Sequence, residues 1–126
     1  MTKKTILFGV IFLMLVGILT AGCGEDKNVA AVRNGTMHMC PGVPVGKAFD
    51  QFFEKTSWKS FTSTSNETIV EFVGESEWMG LKAKFTIQFD VKGQNFNLRY
   101  LDFNGLPMDT ETSIEMVRTI LEEYRP

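Results

Sequence analysis

"LKAKFTIQFDV", residues 81–91, alternates without a break: Leu81, Ala83, Phe85, Ile87, Phe89 and Val91 are apolar, and Lys82, Lys84, Thr86, Gln88 and Asp90 between them are polar. A period of two sends successive side chains to opposite faces, so this stretch reads as a strand with one buried and one wet face. Such a strand needs strand neighbours and an apolar layer over one side. Two short runs upstream, 58–63 and 68–74, are rich in β-branched and aromatic residues and are joined by the polar "TSNE" of residues 64–67, which suits a hairpin. Downstream, Lys92-Gly93-Gln94-Asn95 makes a turn into a fourth strand over 96–103. Its alternation slips near Tyr100 and Leu101, which predicts a bulge there. "NGLP", residues 104–107, ends the sheet.

Two amphipathic segments supply the cover. Val45, Ala48, Phe49, Phe52 and Phe53 recur at helical spacing and predict a helix over 45–55, with Pro44 in its first turn where a missing N–H does no harm. Ile114, Val117, Ile120, Leu121 and Tyr124 share one face of a second helix, opened by a Thr112/Glu115 capping box or by Asp109 or Thr110. With a short strand ahead of the first helix, the expected fold is α+β: a two-layer sandwich in which a four-stranded antiparallel meander packs against an N-terminal and a C-terminal helix. In element order it resembles the small sheet-and-helix sandwiches of the cystatin or β-lactamase-inhibitor-protein type. Of eleven phenylalanines, all but Phe8 and Phe12 fall at Phe49 or later, enough for a core without disulfides.

The first fifth of the chain has a different logic. Lys3 and Lys4 precede an uncharged run, "ILFGVIFLMLVGILTAG" at 6–22, and then Cys23. A basic start, an apolar core and small residues form the layout of a secretory signal. "LTAGC", residues 19–23, resembles the lipobox of bacterial lipoproteins, with Ala21 and Gly22 in its last two small positions and Thr20 where leucine is usual. The resemblance implies a signal peptide over 1–22, cleavage before Cys23, diacylation of its sulfur and attachment to the membrane through acyl chains. An uncleaved anchor and an ordinary secretory signal are the alternatives. Residues 23–31 then read as a tether and 32–126 as a single α+β domain. Gly24 stands where enteric lipoproteins carry an aspartate for inner-membrane retention, so a lipid-anchored, extracytoplasmic address is expected, in the outer membrane if the host is Gram-negative.

The chain's net charge of −2 becomes more negative once Lys3 and Lys4 are removed. That is a poor match for nucleic acid, which selects clustered lysine and arginine. The single histidine excludes every two-histidine metal signature, and neither a GxSxG elbow nor a glycine-rich phosphate loop is present. Glu75/Glu77 and Glu122/Glu123 read as solvated charges. The expectation is therefore a non-catalytic protein with no cofactor, acting as a binding or interaction domain for a protein or cell-wall partner. "NGT" followed by "PGVPVGKAFDQFF" and a tryptophan is similar to small uncharacterised bacterial lipoproteins and secreted domains. Asn34, Gly35, Pro41, Gly46, Ala48, Phe49, Phe53 and Trp58 carry that similarity, which brings no activity with it.

Two stretches are candidate contact points. Met37, His38, Met39 and Cys40 gather thioether, imidazole and thiol, the donors copper(I) prefers, and define the alternative of a copper(I)- or thiol-handling envelope protein. As an extended segment it would show Met37 and Met39 on one side and His38 and Cys40 on the other. The bland alternative has the methionines filling gaps over the first helix. With Cys23 acylated, Cys40 is an odd thiol or an intermolecular bridge; without acylation the two can pair. Trp78 and Met79 lie in a connection between strands, either folded over the core or offered to a partner. Lys82, Lys84, Gln88, Asp90, Asn97 and Arg99 would form the wet sheet face.

Overall fold

A computed structural model describes residues 26–126. The signal peptide expected over 1–22, the lipobox and Cys23 lie outside the described residues. Strands β1 (Glu54–Thr62), β2 (Thr68–Trp78), β3 (Leu81–Lys92), β4 (Asn95–Phe103) and β5 (Leu106–Pro107) form one antiparallel sheet in the order β1-β2-β3-β4-β5. Helices α1 (Lys27–Arg33), α2 (Val45–Phe52) and α3 (Thr110–Glu122) complete an α+β fold.

β3 is the central strand, and its alternation decides the rest. Ala83, Phe85, Ile87, Phe89 and Val91 are all buried. Register carries that face outward: Phe85 lies opposite Gly74 and Phe103, Ile87 opposite Phe72 and Leu101, and Phe89 opposite Val70 and Leu98. α2 lays Phe49 across this face, with ring centroids 4.9 Å from Phe72 and 5.8 Å from Trp58. Phe53 follows in extended backbone and still packs its ring 4.9 Å from Phe72 and 5.2 Å from Phe85. α3 adds Val117, Ile120 and Leu121, each fully buried. A Cβ on Gly74 would sit 2.8 Å from the Cβ of Phe53, so only glycine lets the Phe53 ring lie that close to β2.

Several boundaries differ from the expectation. The first helix stops at Phe52 rather than near residue 55, because Phe53 turns directly into β1, which begins at Glu54 with a register shift before Ser57 and Lys55 at φ 54°. The sheet has five strands rather than four. Asn104 (φ 55°) and Gly105 (φ 83°) make a tight hairpin turn that brings Leu106 and Pro107 back onto Phe103 and Asp102. The short strand expected ahead of the first helix is a single bridge between Met37 and Cys40. The bulge falls between Gln88 and Phe89 of β3, whose partners are Tyr100 and Leu98, so Arg99 is the inserted residue.

The largest correction concerns the tether. From Asp26 onward it is a capped helix: Asp26 Oδ1 accepts from the backbone N–H groups of Asn28 (2.8 Å) and Val29 (3.1 Å), and Oδ2 accepts from the Ser60 hydroxyl (2.9 Å). Val29, Ala31 and Val32 belong to the core. Seven residues are too few to hold a helix alone. The sheet and α2 hold it, through Arg33 against Asp50 (2.7 Å) and over the Trp58 ring (5.3 Å), and Gly46 of α2 is the point where a Cβ would come within 2.8 Å of the Arg33 Cβ.

Candidate functional site

The donor-rich segment is a turn, not an extended strand. The Cys40 N–H donates to the Met37 carbonyl (3.0 Å), which places His38 and Met39 at the corner and ends the simple alternation of side chains. The Val45 N–H donates to the Gly35 carbonyl (3.0 Å), tying the turn's base to the start of α2. Met37 is buried against the core, Met39 and Cys40 are half-buried, and His38 is exposed.

Beside this turn lies a cleft of about 310 Å³. Met37, His38 and Met39 form one wall, Phe96 to Tyr100 of β4 the floor, and Met108 with Thr110, Ser113 and Ile114 the other wall. Met108 is fixed by its own backbone: its N–H donates to the Leu101 carbonyl (2.9 Å), and its carbonyl accepts from the Ser113 hydroxyl (3.4 Å). α3 starts immediately afterwards, where Asp109 Oδ1 accepts from the Thr112 N–H (2.7 Å). That bond holds the Asp109 carboxyl below the ordinary carboxylate range. Of the openings expected for this helix, Asp109 is the cap.

The floor has a free side. β5 pairs only with Asp102 and Phe103, and among the described residues no backbone hydrogen bond reaches the outer edge of β4 between Phe96 and Tyr100. The polar side chains of that stretch are turned to the sheet's wet face. Arg99, displaced by the bulge, donates to Asp90 (2.6 Å) and Glu67 (2.9 Å), which raise its pKa. The Tyr100 hydroxyl donates to Asp102 (2.9 Å), which pushes the phenol upward. What faces the cleft is mainly apolar side chain and unpaired strand edge.

Sequence-predicted residues therefore separate. Met37, His38 and Met39 come together, and Met108, some seventy residues away in the chain, joins them. Cys40 does not line the cleft, and it forms no disulfide among the described residues. Among the described residues no group of three or more His, Cys, Asp and Glu is placed to hold a metal ion. Trp78 is folded inward against Phe52 (6.3 Å) and Phe85 (5.7 Å), whereas its neighbour Met79 is 90% exposed at a turn with Gly80. On the wet face, Gln88 donates to Glu71 (2.8 Å), which also faces Lys59 (3.4 Å), so many of its polar groups satisfy one another.

Ile114 is legible in the sequence as a core-facing helix position and Phe96 and Leu98 as residues of the fourth strand, but no pattern marks Met108 or joins the four as walls of one cleft, since only the tertiary packing of α3 over β4 brings them there. No described helix is long and apolar enough to cross a membrane. Compared with protein-family models, curated proteins and solved structures, the chain matches none.

Proposed function

We propose that this chain is a lipid-anchored, non-catalytic binding domain of a bacterial envelope, held by acyl chains on Cys23, and that its binding site is the cleft over β4. The observation that carries the site is the pairing of an apolar, methionine-walled cleft with an open strand edge on its floor. Methionine side chains adapt their shape to a guest, and a free edge offers backbone donors and acceptors in register with an extended polypeptide. Of the two partner classes, a protein segment fits this pairing better than a wall polymer. The anchoring and the extracytoplasmic address rest on residues 1–23.

The test is selection of extended peptides from a display library against the domain, followed by affinity measurement on Ile114→Arg, which puts a charge into the half-buried wall. Selected peptides should bind the variant at least tenfold more weakly while its melting temperature stays near that of the parent. Equal binding, or no peptide selected, defeats the cleft as the site.

A second reading is favoured by one observation: Met108 adds a third thioether to Met37, Met39 and His38 in the same cleft. Three thioethers and an imidazole suit copper(I), with Cys40 outside the set. Silver(I), as a redox-inert substitute, should then raise the melting temperature, and His38→Ala with Met108→Leu should abolish the rise. An unchanged melting temperature in the parent protein rejects this reading.

A further inference from the structure

A helix capped at Asp26 leaves little slack between Cys23 and the fold. Only Gly24 and Glu25 separate Cys23 from Asp26, and three peptide units reach at most about 11 Å whatever path they take. Asp26 itself is tied to Ser60. Register then places that point on the sheet. Ser60 faces Val70, which faces Phe89, a row close to the turns at 63–67 and 92–95. The Met79–Gly80 turn closes β2 and β3 at the opposite end. From Val70 to Trp78 the strand covers roughly 26 Å at about 3.3 Å per residue. β2 and β3 also outrun their neighbours: pairing with β1 begins at Glu75 and pairing with β4 ends at Phe85, so the pairs from Ser76/Ala83 to Trp78/Leu81 have no strand on either side.

Resting on the anchoring proposed above, we infer that the acylated protein stands on the lipid surface with its 63–67 and 92–95 turns toward the headgroups and its 76–83 hairpin held farthest away. The chemistry of the two ends agrees. Thr64, Ser65, Asn66, Lys92, Gln94 and Asn95 are exposed and polar, as a headgroup layer requires. Met79 (90% exposed) and Leu81 (67%) sit at the far tip, where they face the aqueous compartment instead of the bilayer. The partner surface for this inference is the zwitterionic headgroup layer, and the short leash rather than a basic patch sets the orientation.

The full acylated chain, in a Cys40→Ser background, is labelled with a small fluorophore at Gln94→Cys or at Met79→Cys and reconstituted on phosphatidylcholine vesicles carrying a headgroup nitroxide. Quenching should be several-fold stronger at position 94 than at 79. Ser65→Cys and Glu77→Cys provide a second pair, so a single misfolded variant does not decide the matter. Membrane-bound protein quenched equally at both ends, or more at 79, overturns the orientation and leaves the anchor standing. Protein found wholly in the aqueous phase removes the anchor and the orientation together.

Discussion

α2 and α3 meet the same sheet and leave opposite results. Under α2 the space is closed: Phe49 is fully buried, and its ring contacts those of Phe53, Phe72, Trp58 and Phe89. Under the first turn of α3 the space stays open as the methionine-walled cleft. Rigid rings fixed by edge-to-face contacts fill a volume completely, whereas flexible thioethers line a gap without closing it. Aromatic packing is concentrated on one side of the sheet's apolar face and open volume on the other.

The widest difference should appear on truncation. Phe49→Ala empties the centre of the closed half and should cost about 3–5 kcal/mol, since the surrounding rings cannot collapse into the void. Ile114→Ala, at a half-buried wall that already borders a cavity, should cost under about 1.5 kcal/mol. Urea unfolding measures both. Comparable losses would erase the distinction between the two halves.

Addition should separate them as well, by a smaller margin. A methyl group at Gly74 meets the Phe53 Cβ at 2.8 Å, so Gly74→Ala should lose about 1–3 kcal/mol through overpacking. Met108→Phe directs its extra volume toward the cleft and should leave the unfolding midpoint nearly unchanged while weakening any peptide that binds there. A Met108→Phe protein that loses as much as Gly74→Ala would show the cleft to be already full.

The same contrast explains what can be read from residues alone. The closed half is written in local periodicity: the alternation of 81–91 and the stripe from Val45 to Phe53 each identify a face, and apolar faces must meet. Periodicity overshoots the helix end because Phe53 continues the helical spacing while its backbone has already become extended. β5 escapes a sequence reading although Asn104-Gly105 is a strong hairpin signal, since only two residues follow it into the sheet. α1 reads as tether for a physical reason: "KNVAAVR" is short and carries too little apolar periodicity to announce a helix, and burial of Val29, Ala31 and Val32 against four strands supplies what propensity does not. The cleft depends on residues some seventy positions apart, and no local pattern encodes that distance.

α1 also joins the two halves, running from Asp26 beside β1 to Gly35, whose position is pressed against the Phe96 ring at the cleft. Its cap therefore offers the mildest and most informative perturbation. The Val29 N–H first, and then the Ser60 hydroxyl, hold the Asp26 carboxyl below its ordinary range by binding the charged form. The folded state thus holds this proton less tightly than the unfolded chain. The contribution to stability is complete above the ordinary carboxylate pKa of about 3.9 and is lost as the pH falls from there through the depressed value. Asp26→Ala should cost about 1 kcal/mol at pH 7, the usual scale of an N-cap. Asp26→Asn, which keeps an accepting oxygen but no charge, should cost less, and its deficit should shrink as urea unfolding is repeated from pH 5 down to pH 3. Asp109, depressed by the Thr112 N–H, titrates in the same direction at the head of α3, so the double variant Asp26→Asn, Asp109→Asn should flatten the acid limb further. A deficit for Asp26→Asn that stays constant with pH would show that the carboxylate charge contributes nothing and that the cap works through geometry alone.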